Sequence, residues 1–244
     1  CGKIQGTTEY ICSTVKKRVM TEAIHIPRET VPQQKQHIII RFFAQLFSVV
    51  FHPLFIPFYV IGFLINYHPS YFSGFSIYSK FEIMRSVFVN TIIFPAFALL
   101  VMKGLGFIKS IFLHTQQDRI GPYLANMIFY FWMARVFFNF KPDLTPVLAV
   151  FMTGVFLTTA VGLIANILFK ISMHAIGCGG MLGIFIIIMN SNSMLMTWPL
   201  SIALLITGLV CTSRLIVSNH TPKEIYLGLF VGLVCQFAAA IAIL

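Results

Sequence analysis

Residues 146–169 read PVLAVFMTGVFLTTAVGLIANILF and contain no Asp, Glu, Lys or Arg. A bilayer span needs about 20 predominantly apolar residues, and this run is long enough. In lipid, a segment must satisfy its own backbone hydrogen bonds, which an α-helix does. The strands of a membrane β-barrel would be about 10 residues long with alternating polarity, and this run does not alternate. The stretch therefore predicts a transmembrane helix.

Similar apolar runs lie on both sides of this stretch. The 244-residue chain is 58% hydrophobic and 10% charged, whereas a soluble domain is about a quarter charged. We therefore predict an all-α fold, a polytopic membrane helical bundle of about six to seven transmembrane helices in residues 41–244. The seven runs lie at roughly 42–66, 84–105, 122–140, 146–169, 174–190, 198–217 and 222–244.

Glycine and cysteine positions within these runs indicate packing. The pairs Gly179/Gly183 and Gly228/Gly232 have the four-residue spacing that lets two helix backbones approach closely. The five cysteines fit the spacing of neither a zinc site nor a disulfide framework. We expect them to be small buried hydrophobic residues, with no metal site.

The N-terminal 40 residues differ from the rest of the chain. Seven of the 17 Lys and Arg residues lie in residues 1–41, which predicts a flexible, polar and basic segment at residues 1–40. The chain begins with Cys1 instead of Met, which leaves open whether this segment belongs to the mature protein. A net charge of +10 could suggest nucleic acid, but basic residues beside membrane spans normally contact anionic lipid headgroups. We expect membrane lipids as partners and no nucleic acid.

Polar residues are concentrated where the apolar runs begin or end. If successive helices cross the membrane in opposite directions, the third, fifth and seventh begin on the face where the sixth ends. Three basic residues, two histidines, a serine and a glutamate lie at these positions. They are Arg119 at the third run, Lys170, Ser172 and His174 at the fifth, Arg214 at the end of the sixth, and His220 and Glu224 at the seventh.

This combination of residues points to phosphate chemistry. A helix N-terminus exposes unpaired N–H groups and the positive end of the helix dipole, which attract anions. The arginine guanidinium holds phosphate through two parallel hydrogen bonds. Two histidines could divide the work, one attacking and the other protonating the leaving oxygen. We therefore interpret the shared face as an electropositive phosphate pocket.

Each of these residues also has a simpler interpretation. The stretch Thr221–Glu224 has the pattern of a capping box, so Glu224 could serve only to cap the last helix. Ser172 could likewise cap the fifth helix. Arg214 and Lys170 could simply extend to lipid headgroups. The functional interpretation depends on the combination of residues.

The last part of the chain resembles the type 2 phosphatidic acid phosphatase (PAP2) superfamily. That family carries three motifs, Lys-x6-Arg-Pro, Pro-Ser-Gly-His and Ser-Arg-x5-His-x3-Asp. Ser213, Arg214, His220 and Glu224 match the third motif in residue type and spacing, with Glu in place of Asp. This match is the most specific part of the resemblance.

The other two motifs depart further from the family pattern. Ser172-Met173-His174 resembles the second motif, with Ile171 in place of Pro and Met173 in place of Gly. Arg119 resembles the arginine of the first motif, but Phe112 stands where the family has its lysine. Lys109 is close but out of register. One phosphate contact of the family is therefore missing at its usual position.

Residues 42–244 are also similar to a divergent PAP2 branch that is common in Bacteroidetes. The similarity is carried by four short segments, from which a bacterial inner-membrane location is expected. They are His52–Pro57, Lys170–His174, Gly179-Gly180 and His220–Pro222.

The resemblance implies a PAP2-like core and a metal-independent phosphatase with no cofactor. Its substrate would be a lipid phosphate or an isoprenoid pyrophosphate. His220 would be the nucleophile that forms a phospho-histidine, Glu224 would orient it, and His174 would protonate the leaving group. The phosphate oxygens would be held by Arg119, Arg214, Ser172 and Lys170. No role is assigned to His52 or His68.

Two other functions remain open at the sequence level. A transferase would use the same phospho-histidine chemistry but pass the phosphate to a lipid or sugar instead of water. A non-enzymatic protein would bind or transport anionic lipids with a degenerate site, and the weakened first motif favours this interpretation. Membrane orientation is also open, because the basic N-terminus predicts a cytoplasmic site whereas the family resemblance implies an external one.

Overall fold

The fold is built from helices, each of which follows an apolar run of the sequence. The computed structural model describes residues 37–68, 71–108, 116–139, 146–191, 196–218 and 220–244. These residues belong to one compact unit, Lys35–Leu244, and the predicted flexible segment lies outside them except for its last few residues. The helices are α1 Ile38–Val50, α2 Ile56–Asn66, α3 Ile77–Gly104, α4 Gln116–Asn139, α5 Pro146–Leu168, α6 Met173–Ser191, α7 Thr197–Val217 and α8 Pro222–Ile243.

The first predicted span is wrong as a single helix. The run at 42–66 is broken into α1 and α2 by turns at residues 51–55. Pro53 lies within this break, and Pro57 lies in the first turn of α2. Proline lacks a backbone N–H and clashes with the preceding turn, so it is tolerated at a helix start but ends a helix that reaches it. α1 itself begins at Ile38, a little before the predicted domain boundary at residue 41.

Helix α3 is longer than the predicted run and contains a π-helical turn at Val89–Ile93. Pro95 lies two residues after Ile93, and its missing N–H accounts for a local change of hydrogen-bond pattern. Around this turn Thr91 Oγ1 donates to the Val87 carbonyl at 2.8 Å and Asn90 Nδ2 to the Ser86 carbonyl at 2.9 Å.

Five of the described helices, α3 and α5–α8, are long and apolar enough to cross a membrane. This is fewer than the six to seven predicted. The short α1 and α2 do not reach spanning length, and α4 is long enough but not apolar enough. Asn126 and Arg135 within α4 lower its hydropathy. The all-helical, multi-pass architecture is confirmed for the described residues.

Glycines bring α6 and α8 into close contact, as their spacing predicted. A Cβ atom added at Gly179 would overlap the Leu229 carbonyl, and one added at Gly232 would overlap the Ile176 carbonyl. α8 also packs on α5, α4 packs on α5, and α1 packs on α7. The α6–α8 contact fixes the start of α6 relative to the start of α8, which is where the predicted site residues lie.

Candidate functional site

The predicted site residues meet at one end of the bundle. Hydrogen bonds join Ser48 near the end of α1 to His174 at the start of α6 and to Arg214 in the last turn of α7. Lys170 reaches Glu224, so the start of α8 adjoins the loop before α6. The starts of α6 and α8 and the end of α7 therefore share one face, as the alternation of helix direction predicted.

His220 and Glu224 form a tight pair. His220 directly precedes α8, and its Nδ1 lies 2.6 Å from Glu224 Oε2, one helical turn further on. The His220 side chain is only 4% exposed. Because a carboxylate only accepts, Nδ1 carries the proton and donates it to Glu224, which leaves the Nε2 lone pair available. Thr221 Oγ1 caps α8 by accepting from the Glu224 N–H at 3.4 Å, so the Glu224 carboxylate is directed at His220.

The surroundings of His220 favour the neutral form of its ring. Burial lowers the pKa of His220 below its ordinary value, and the charges of Lys170 and Arg214 act in the same direction. The hydrogen bond to Glu224 and its negative charge oppose this lowering. A neutral imidazole with a free Nε2 is the nucleophilic form of histidine.

Arg214 and His174 both contact Ser48. Arg214 Nη1 donates to Ser48 Oγ at 2.9 Å. His174 Nε2 lies 3.0 Å from the Ser48 carbonyl oxygen and 3.3 Å from Ser48 Oγ. Arg214 Nε is buried and has no hydrogen-bond partner among the described residues. A buried N–H without an acceptor is costly, and an anion bound beside Arg214 would satisfy it.

Two further cations complete the electropositive character of the site. Arg119, in the first turn of α4, lies close enough to Arg214 for the two charges to repel. Lys170 Nζ is 3.9 Å from Glu224 Oε2, with about a third of its side chain exposed. The cations Arg119, Arg214 and Lys170 favour a bound anion, because an anion relieves their mutual repulsion. Glu224 and the buried Asp118 beside Arg119 offset part of their charge.

Ser172 serves as a helix cap in this structure. It is fully buried, and its Oγ accepts from the Ala175 N–H at 3.5 Å. The Ser172 carbonyl accepts from the Ile176 N–H at 3.0 Å. The simpler interpretation of this residue therefore has direct geometric support, and its proposed contact with phosphate stays a prediction.

Sequence reasoning missed two residues at this end of the bundle. Ser48 was not considered, and His52 was assigned no role. The His52 and His174 rings are nearly perpendicular, with 5.1 Å between the centroids, so His52 adjoins the candidate site. The signal was Pro53, because a helix that breaks there leaves Ser48 and His52 near its end. His68, by contrast, stacks on Tyr71 beyond the far end of α2.

The lysine position of the family's first motif lies outside the described residues. Phe112 and Lys109 are both in the undescribed stretch 109–115, so the missing lysine contact stays a prediction. Arg119, the arginine of that motif, is described in the first turn of α4.

Fold and site together define a multi-pass helical membrane protein with a cluster of histidines and cations at one end of its helices. Comparison with protein-family models, curated proteins and solved structures gave no match.

The burial of His52 predicts that acid destabilises the fold. Burial and the Arg214 charge lower the pKa of His52 to about 4 from the ordinary 6.5. Protonation of His52 is therefore less favourable in the native state than in the unfolded chain. The stability that neutral His52 contributes is fully present above pH 6.5 and is lost as the pH falls toward 4. For one such group, the free energy of unfolding falls by about 2 kcal/mol by pH 5. Melting in detergent from pH 7 to 5 should show a smaller fall for His52→Gln than for wild type. Equal falls would contradict the assignment, and exposed His37→Gln is the control.

Proposed function

We propose that the chain is an integral membrane phosphatase of the PAP2 type, located in a bacterial cytoplasmic membrane. It hydrolyses a lipid phosphate or an isoprenoid pyrophosphate through a phospho-histidine intermediate, without a metal. The observation that carries this proposal is the His220–Glu224 pair, with Nδ1 held at 2.6 Å and Arg214 and Lys170 close enough to influence the ring.

The reaction would proceed in two balanced steps. The Nε2 lone pair of His220 forms a bond to phosphorus while the bond to the leaving oxygen breaks, and that oxygen takes up a proton. Water then attacks the same phosphorus while the neutral His174 takes up one of its protons, the N–P bond breaks, and inorganic phosphate leaves with both histidines restored. Glu224 stabilises the positive charge that develops on the ring in the first step. Arg119, Arg214 and Lys170 would stabilise the charge on the phosphoryl oxygens.

His174 would supply the proton for the leaving oxygen from its imidazolium form, which carries a proton on each ring nitrogen and is left neutral by the transfer. A carbonyl oxygen only accepts, so the Nε2 that lies 3.0 Å from the Ser48 carbonyl carries a proton. For this proton to reach the leaving group, the Nε2–H must exchange the Ser48 carbonyl for the leaving oxygen. The site therefore contains a proton donor whose present hydrogen-bond partner is the backbone.

The same contact favours a second candidate, an anionic-lipid-binding protein without turnover. If His174 stays bound to Ser48, the cations still hold a phosphate headgroup but no side chain protonates the leaving oxygen. Retained headgroup binding with no phosphate release would identify this alternative.

The test is a substrate panel with purified protein in detergent that contains a metal chelator. Phosphatidate, phosphatidylglycerophosphate and undecaprenyl pyrophosphate are supplied in turn, and inorganic phosphate is measured. We expect release from at least one substrate, with a labelled enzyme intermediate that is labile in acid and stable in alkali. No release from any of the three rejects the phosphatase. Transfer of label to a lipid or sugar, detected by mass spectrometry, would instead identify a transferase.

A further inference from the structure

The turn between α1 and α2 is fixed against the rest of the site. Tyr59 in α2 donates its hydroxyl to the Val50 carbonyl at 3.0 Å. Gly177 in α6 leaves room for Pro53 and Ile56, since a Cβ atom at Gly177 would lie 3.3 Å from Pro53 Cβ and 2.9 Å from Ile56 Cδ1. Ser48, just before this turn, is therefore presented to α6 and α7 by a supported backbone.

Ser48 contacts both His174 and Arg214. Its carbonyl accepts the His174 Nε2–H at 3.0 Å, which places a proton on that nitrogen. Its Oγ accepts from Arg214 Nη1 at 2.9 Å, since a guanidinium has only donors. Ser48 is itself 6% exposed, so water competes little for either bond.

The bond to Ser48 decides which edge of Arg214 is available. Nη1 is occupied by Ser48 Oγ, while Nε is buried without a partner among the described residues. A phosphate would then meet the edge formed by Nε and Nη2, the geometry of a bidentate contact. Without Ser48 Oγ the guanidinium could rotate, and the orientation of its Nε and Nη2 edge would no longer be fixed before phosphate binds.

His52 supports His174, the second residue that contacts Ser48. Its ring lies edge-on to His174 at an interplanar angle of 86°. The His52 Nδ1 accepts from the Leu54 N–H at 3.3 Å, which sets the orientation of the His52 ring. The His174 ring is thus held by Ser48 at Nε2 and by His52 across its face.

We propose that Ser48 is a positioning residue of the anion site, which orients the Arg214 guanidinium for bidentate binding of a phosphate group. The inference rests on the proposed function for its effect on turnover, but its effect on phosphate binding can be measured without turnover. Ser48 does not itself react.

The test compares Ser48→Ala, Ser48→Thr and wild type as full-length chains in detergent. The probe is inorganic orthophosphate, measured by equilibrium binding and as an inhibitor, alongside KM, kcat and the melting temperature. We expect orthophosphate affinity to fall about tenfold and KM to rise in Ser48→Ala, because a hydrogen bond to a charged group has been lost. Ser48→Ala should stay folded but melt below wild type, because a buried hydrogen bond is lost, and Ser48→Thr, which keeps the hydroxyl, should restore affinity.

The control is Ser201→Ala, which removes a hydroxyl that donates to the Thr197 carbonyl at 2.8 Å near the other end of α7. It should leave orthophosphate affinity unchanged. Unchanged or tighter binding in Ser48→Ala would overturn the inference, since tighter binding means that Ser48 competes with the anion. If wild type binds orthophosphate and Ser48→Ala weakens that binding, yet no substrate is hydrolysed, the role of Ser48 is supported and the phosphatase function is rejected. If substrates of the panel are hydrolysed but Ser48→Ala behaves as wild type, the phosphatase function is supported and the positioning role of Ser48 is rejected.

Discussion

Replacing His220 with Ala should lower phosphate release by about 10⁴-fold or more, to the background of the assay. The side chain supplies the only Nε2 that is paired through Nδ1 with a carboxylate among the described residues. No bond to phosphorus can form without it, so the acid-labile enzyme label should disappear as well. Orthophosphate binding should survive, because Arg214 and Lys170 remain.

The matched control for this variant is His37→Ala. His37 is exposed, and its Nδ1 accepts from the Ile39 N–H at the start of α1. α1 has 13 residues and is therefore about 20 Å long, so this histidine is well separated from Ser48 and the site. His37→Ala should retain wild-type turnover. If His220→Ala releases as much phosphate as His37→Ala on every substrate, His220 is not the nucleophile.

Replacing Gly232 with Ala should unfold or severely destabilise the protein. The added Cβ would overlap the Ile176 carbonyl and lie 2.7 Å from the Gly180 nitrogen. Both are backbone atoms of α6, which cannot rotate away as a side chain would. The helices must separate, at a cost of about 3 kcal/mol or more. We expect a large fall in melting temperature in detergent, and loss of phosphate release because α6 carries His174 and α8 carries Glu224.

Gly208→Ala is the matched control, since Gly208 lies within α7 and a Cβ there would have no neighbour within 4 Å. Alanine favours a helix over glycine by about 1 kcal/mol, so this variant should melt at or above the wild-type temperature. A wild-type melting temperature for Gly232→Ala would show that α6 and α8 do not make the close contact described here.

Much of the fold could be read from composition and periodicity. The runs that became α5, α6, α7 and α8 are long, apolar and bounded by polar connectors, and lipid leaves helix as the only sensible structure for them. The wrong predictions concern segments in which the length of the apolar run does not match the length of an apolar helix. Residues 42–66 are apolar throughout, yet Pro53 divides them, and α4 has spanning length, yet Asn126 and Arg135 make it more polar.

The candidate site was also predictable from the sequence only in part. The alternation of helix direction was enough to predict that Arg119, His174, Arg214 and His220 share one end of the bundle. The contact of Ser48 with Arg214 joins residues 166 positions apart, and no local pattern in the sequence encodes it. His52 was missed for the same reason, since its neighbour His174 belongs to a different helix.

The sequence by itself determined that the chain forms membrane helices whose polar ends gather on one face, because length, apolarity and spacing are local properties. Only the tertiary structure decided how those ends meet. It brought Ser48 to Arg214 and His174, His52 to His174, and Lys170 to Glu224. These outcomes depend on the close α6–α8 contact and on the turn after α1, where the packing of several helices, and not the preference of any one segment, sets each side chain's neighbours.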